Sequence, residues 1–280
     1  MKAAAFAYER PADLNAALAM LARTDGMAKI MAGGQSLGPM LNLRLIEPDL
    51  IVDISGLSEL KQAERSGDDL VIGACITHGD IEDGRIPDVT CGAMQRVAGA
   101  IAYRAVRNRG TIGGSLSHAD PAADWISALA ALGAKVRLRS LAGARDLAIE
   151  EFITGALECA LRPGEIVEAV RIPAMTPSAK WGYVKACRKT GEFAHAIAAV
   201  LIDPESASAR AVIGAVEAPP IVLADATAIF GGRVAADFPR QFDPQVVDAM
   251  LIKAGMTNAA DRHIHIAVLR RAIVEAATWP

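Results

Sequence analysis

Two paired glycines constrain this 280-residue chain more than any other feature. One pair lies in Ala32-Gly33-Gly34-Gln35-Ser36-Leu37. The other lies in Gly110-Thr111-Ile112-Gly113-Gly114-Ser115, with Asp120 and Asp124 close behind. Glycine lets the backbone turn tightly and lets a neighbour approach the main chain with no Cβ in the way. Successive N–H groups in such a bend can converge on an anion such as a diphosphate. Neither segment has the G-x-G-x-x-G dinucleotide pattern, and neither ends in the Lys-Ser or Lys-Thr of a P-loop. Two such bends, roughly 80 residues apart, point to one bulky phosphorylated cofactor held from two sides. In that case the cofactor carries the chemistry, and the protein positions it.

The rest of the chain reads as α+β. Asp13 caps a helix over 14–22, and Thr77-His78-Gly79-Asp80 has the form of a capping box. Strands are predicted over 50–54, 69–76, 135–139 and 165–172, where β-branched or alternating apolar residues gather. Helices are predicted over 89–100 and 122–132. Prolines and small residues over 173–178 mark a boundary. Three strand-like runs follow, over 181–185, 194–202 and 209–216. With no helix between them they predict an antiparallel meander. Helices over 223–230, 244–254 and 261–277 complete the chain. The last has an apolar face of Ile264, Val268, Leu269, Ala272 and Ile273. His263 and His265, two apart on that helix, read as surface residues.

A net charge of −3 lacks the basic footprint of a nucleic-acid binder. No apolar stretch reaches the roughly 18 residues of a membrane span. The N-terminal apolar run is short and broken by charge, unlike a secretory signal, so a cytoplasmic location is expected. Cys75, Cys91, Cys159 and Cys187 are too scattered for a zinc or iron–sulfur ligand set, and no metal ligands are assigned. Arg107 and Arg109 are candidates either to neutralise phosphate or to pair with acidic residues on a partner.

The two glycine segments, with Pro39 and Arg44 after the first and Leu116-Ser117-His118-Ala119-Asp120 after the second, resemble the flavin segments of the molybdenum hydroxylase flavoproteins. Pro163-Gly164-Glu165-Ile166, Arg171-Ile172-Pro173, Lys185 and Arg188-Lys189-Thr190-Gly191 extend the resemblance over nearly the whole chain. It is to the FAD-binding medium subunit of carbon monoxide dehydrogenase-like and xanthine dehydrogenase-like enzymes. The resemblance implies a two-lobed FAD-binding fold of the vanillyl-alcohol-oxidase type over 1–175, with lobes of about 1–56 and 57–175. A C-terminal α+β domain with an antiparallel sheet would occupy 176–280.

The resemblance also implies site residues. Ala32, Gly33, Gly34, Gln35 and Ser36 would wrap the FAD diphosphate from one side, with Leu37 also in the cofactor site. Thr111, Ile112, Gly113 and Gly114 would do so from the other, through backbone N–H groups, with Gly110 and Ser115 also in the cofactor site. Asp124 would contact sugar or ribityl hydroxyls, assisted by Asp120, with His118 nearby. Ile101 would pack on the flavin ring, Ile166 or Val167 would meet the adenine end, and Lys185 and Phe193 would lie by the ring. Two positions depart from the family pattern: Ser115 replaces a common Asn, and Phe193 lacks the hydroxyl of a Tyr.

No catalytic residues for substrate oxidation are assigned to this chain. The implied role is electron transfer in a cytoplasmic complex. A large molybdenum-cofactor subunit and a small subunit with two [2Fe–2S] clusters would be the partners, in a dimer of heterotrimers with an external electron acceptor. Two other readings stay open from the residues. One is a stand-alone flavin-dependent oxidase or reductase. The other is a non-enzymatic assembly subunit that has lost the cofactor.

Overall fold

The computed structural model describes residues 2–189, 191–217 and 219–280, so Thr190 of the Arg188–Gly191 segment lies outside the described residues. The N-terminal part contains β1 (Ala7–Glu9), α1 (Leu14–Arg23), β2 (Ala28–Met31), α2 (Leu37–Asn42) and β3 (Leu50–Asp53). The strands form a three-stranded parallel sheet in the order β1-β3-β2. Asp13 caps α1 by accepting from the Ala16 amide at 2.7 Å.

Next come β4 (Ala63–Ser66), β5 (Asp69–Gly73), α3 (His78–Glu82), α4 (Ala93–Ala100), α5 (Arg104–Arg107), α6 (Ile112–His118) and α7 (Asp124–Ala131). They are followed by β6 (Lys135–Ser140), β7 (Gly143–Ala148), α8 (Ile149–Phe152), β8 (Ile153–Gly155), β9 (Glu158–Cys159) and β10 (Ile166–Pro173). Five of these strands make an antiparallel sheet, β4-β5-β10-β6-β7. The central strand, β10, buries Ile166, Val167, Ala169, Val170 and Ile172. Thr77 and Asp80 form the expected capping box at α3. The helix predicted over 89–100 begins only at Ala93, because Asp88 accepts from the Thr90 and Gly92 amides and holds a turn ahead of it.

The C-terminal part holds β11 (Lys180–Ala186), β12 (Ala196–Asp203), β13 (Ser208–Gly214) and β14 (Ile221–Leu223), then α9 (Phe238–Gln241), α10 (Pro244–Lys253) and α11 (Ala259–Ala277). The four strands pair in chain order as the predicted antiparallel meander. Strand β12 is buried on both faces. Ala196, Ala198, Val200 and Ile202 enter one apolar cluster with α11, while Ile197 and Ala199 enter the cluster that contains α7. The sheet is therefore the middle layer between the C-terminal helix and the part of the chain that carries α7. Gly182 makes the first contact possible, since a Cβ there would sit 1.9 Å from the Ala272 carbonyl oxygen of α11.

Two expectations are corrected. Residues 223–230 are not one helix; they divide into the end of β14 and a single 3₁₀ turn at Thr227–Phe230. Packing against the sheet turns α11 so that His265 is buried at 4% exposure while Ile264 is 39% exposed. The His265 ring Nδ1 lies 2.8 Å from the Asp261 carbonyl oxygen. Among the described residues, no helix is long and apolar enough to cross a membrane.

Candidate functional site

The first glycine segment leaves the carboxyl end of β2 and leads into α2. The carboxyl end of a parallel strand is where such sheets place ligands. The second segment begins at Gly110, pairs Thr111 with Thr77 in an isolated bridge, and becomes the first turn of α6. The two segments meet. A Cβ built on Gly33 would lie 2.0 Å from the Arg109 carbonyl oxygen and 2.9 Å from Gly110 Cα, and one on Gly114 would lie 3.9 Å from Ala32 Cβ.

Their free hydrogen-bond donors are distributed unequally. Among the described residues, the amides of Gly33, Gly34, Gln35, Ser36 and Leu37 have no acceptor. Gly34 is left-handed at φ +71°, the conformation that curls successive N–H groups around an anion. In the second segment the Ile112 and Gly113 amides donate to the Ile76 and Ala74 carbonyls at 3.1 and 3.0 Å. The Gly114 amide donates to Thr111 Oγ1 at 3.1 Å, and the Ser115 amide donates to the Thr111 carbonyl at 3.0 Å. Only the Thr111 amide lacks an acceptor among the described residues. The expected row of free amides over 111–114 is thus reduced to Thr111, because those of Ile112 and Gly113 anchor α6 to the residues just after β5 and that of Gly114 is taken up by the Thr111 cap. Gly113 serves that packing: its Cβ would meet Ala74 Cβ at 2.4 Å.

His78 holds the second segment in place. Its amide donates to the Gly110 carbonyl at 2.9 Å, and its Nδ1 accepts from Trp125 Nε1–H at 3.0 Å. A Cβ on Gly110 would lie 2.9 Å from the His78 ring. Burial, reinforced by the Arg107 charge, pulls the His78 pKa down from 6.5 to about 4. The unfolded chain therefore binds a proton that the folded one refuses between these values. The His78 contribution to stability is complete above pH 6.5 and is lost as the pH drops toward 4, about 3 kcal/mol in all. Urea unfolding midpoints across this range are expected to show that loss in the wild type and a flatter profile in His78→Gln.

Asp124 opens α7 and is buried at 8% exposure. Its Oδ1 accepts from Tyr183 Oη–H at 2.7 Å and from Lys185 Nζ at 2.8 Å. Oδ2 takes no hydrogen bond from a described residue, which leaves it available to a ligand hydroxyl. Lys185 Nζ also donates to the Ala100 carbonyl at 2.8 Å, which ties Asp124 to the segment carrying Ile101. Gly191 closes this side, since a Cβ there would meet the Tyr103 ring at 2.7 Å. The loop bearing Phe193, itself 72% exposed, thus rests beside the Ile101 segment.

Other expected residues fall nearby with more local roles. Asp120 Oδ1 accepts from the Ala122 amide at 2.9 Å, an Asx turn ahead of α7. His118 ends α6 and is half-buried. Ile166 and Val167 are buried on β10. Arg107 is committed internally, to Glu82 and to the Ile101 and Ala102 carbonyls. Tyr183 belongs to the site without any motif of its own to mark it; the one signal in the sequence is that Tyr183 and Lys185 lie two apart on one strand and so share a face.

This arrangement fits a dinucleotide cofactor: a run of amides with no acceptor among the described residues, a buried carboxylate with one oxygen that takes no hydrogen bond from them, and an apolar segment tied to it. Comparison with known proteins agrees. Residues 4–175 match the family described as the FAD binding domain in molybdopterin dehydrogenase. The caffeine dehydrogenase subunit beta of Pseudomonas sp. (strain CBB1) is 34% identical over 284 residues, covering 99% of this chain and 96% of that protein. The carbon monoxide dehydrogenase medium chain of Hydrogenophaga pseudoflava is 34% identical over 197 residues, 70% of this chain and 69% of its own. Among solved structures, a chain of the reconstituted CO dehydrogenase from Oligotropha carboxidovorans superposes with a TM-score of 0.87 at 28% identity, covering all of both chains. A chain of quinoline 2-oxidoreductase from Pseudomonas putida 86 superposes with a TM-score of 0.84 at 31% identity, covering 99% of this chain and 98% of that one.

Proposed function

Because the chain belongs to the family of FAD-binding domains in molybdopterin dehydrogenases, and is the FAD-carrying medium subunit of an oxidoreductase of that kind, we propose that it takes electrons from [2Fe–2S] clusters of a small partner subunit and passes them to an external acceptor. A large molybdenum-cofactor subunit would complete the complex, in a dimer of heterotrimers. The observation that carries this reading is the meeting of the two glycine segments beside five amides that have no acceptor among the described residues. Bound FAD supplies a carrier that accepts electrons singly and releases them in pairs.

The chain's own part is to hold and orient that carrier. The amides of 33–37, with that of Thr111, would cradle the diphosphate. Asp124 Oδ2 would accept from a sugar or ribityl hydroxyl, while Tyr183 and Lys185 fix the carboxylate by its other oxygen. Ile101 would cover the ring, and β10 at Ile166 and Val167 would border the adenine end. The 1–175 segment forms the FAD-binding domain on this reading, and 176–280 lays its sheet against it.

The test is purification of the chain with whatever accompanies it. A visible flavin absorption band, FAD released on denaturation, and molybdenum and iron in the co-purifying subunits are expected. A colourless complex without releasable FAD would overturn the assignment. Substrate turnover by the chain alone would replace the electron-transfer role with that of a self-contained flavoenzyme.

A further inference from the structure

The segment that follows α4 carries Ile101 and then places Ala102 in the left-handed region, at φ +41°. A non-glycine residue stays there only when its surroundings hold it. Here three successive carbonyls are gripped by two side-chain cations. Lys185 Nζ donates to the Ala100 carbonyl at 2.8 Å, and Arg107 Nη1 donates to those of Ile101 and Ala102 at 2.9 and 3.2 Å. Arg107 is itself fixed. Its Nε and Nη2 donate to Glu82 Oε2 and Oε1 at 2.7 and 2.9 Å, and its side chain is only 12% exposed. Arg104 braces Glu82 from outside at 2.7 Å and pairs with Asp83 through two contacts of 2.6 Å.

Only a planar fork with several fixed donors can serve a carboxylate on one edge and two carbonyls on the other. All three Arg107 nitrogens are engaged in this way, so phosphate neutralisation is not its task. Pairing with an acidic group is, but the group belongs to this chain, on α3.

We propose that Arg107, fixed by Glu82, is a positioning residue for the flavin: it sets the backbone of Ile101 and Ala102, and through it the placement of Ile101 on the ring, without touching the cofactor. This rests on the reading that Ile101 packs against FAD.

The experiment uses the full chain with Arg107→Lys, and Glu82→Gln as the milder variant should the first fail to fold. Hydrogen exchange of the peptide spanning 99–105 is followed in flavin-free protein, and FAD affinity is titrated separately. Arg210→Lys is the control. Arg210 likewise joins a carbonyl, that of Ala130, to a carboxylate, that of Glu150, but it does so elsewhere.

In Arg107→Lys the segment is expected to exchange about tenfold faster, and the FAD dissociation constant to rise about tenfold to a hundredfold. Glu82→Gln should move both readouts in the same direction by less. Arg210→Lys should lower the melting temperature and move neither. Unchanged exchange in both variants overturns the positioning role whatever the flavin does. Faster exchange with unchanged FAD affinity shows that the clamp holds the backbone but that Ile101 is not a flavin contact, and this too overturns the proposal. An equal loss of affinity in Arg210→Lys would reduce the effect to general stability and sink it.

Discussion

Gly33→Val is expected to purify essentially free of flavin. The cause is the contact between the two glycine segments. The new Cβ would lie 2.0 Å from the Arg109 carbonyl oxygen, 2.7 Å from its carbon and 2.9 Å from Gly110 Cα, all backbone atoms that cannot swing aside. One segment must move, and with it the run of unbonded amides from Gly33 to Leu37. Losing two charge-assisted hydrogen bonds to a diphosphate removes about 3 kcal/mol or more, over a hundredfold in affinity. The strain should also cost the fold about 1–3 kcal/mol. Gly114→Ala provides the contrast. Its Cβ would approach a side-chain atom, Thr111 Oγ1, at 2.8 Å, with Ala32 Cβ next at 3.9 Å. It should weaken the α6 cap, at about 1 kcal/mol, and keep its flavin. The flavin-to-protein ratio and the melting temperature of each variant decide the matter. Full flavin occupancy in Gly33→Val would mean that the first segment does not hold the diphosphate.

Local rules carried the reading of the sequence as far as local physics reaches. Asp13 and Thr77 announce their helices because a capping side chain answers amides two or three residues ahead. The meander of β11–β13 is legible because β-branched and small apolar residues recur with no helical period between them. The edge strand β7 is not, since Gly143–Ala148 is half-exposed and its sequence carries no apolar alternation. Helix α6 hides behind two glycines that lower helix propensity, and it forms because Thr111 caps it and Gly113 lets it approach Ala74. On α11, counting apolar residues favours Ile264, whereas the sheet beneath selects His265.

The site shows the same division. Both glycine pairs stand out in the sequence, but which amides are free depends on carbonyls at Ala74 and Ile76, supplied by a distant strand end. The Arg107–Glu82 pair spans 25 residues, and no spacing rule connects them.

Asp124→Asn should be the most damaging single-atom change at the candidate site. The carboxylate compensates Lys185, whose side chain is 13% exposed, and accepts the Tyr183 hydroxyl on the same oxygen. Burial and the Asp124 charge push the Tyr183 pKa well above 10, so the phenol stays a donor and Asp124 must stay its acceptor. An amide keeps the shape but leaves the lysine charge without its counter-ion, and breaking a buried pair in this way costs about 3–5 kcal/mol. Asp124→Asn with Lys185→Met removes both charges and should recover most of that stability. It should not recover the flavin, because the free carboxylate oxygen that would meet a cofactor hydroxyl is gone in both variants. Melting temperature and flavin content are therefore expected to separate, with stability returning in the double variant and occupancy remaining low. If flavin returns together with stability, Asp124 is a structural counter-ion for Lys185, and the cofactor is held by the glycine segments without it.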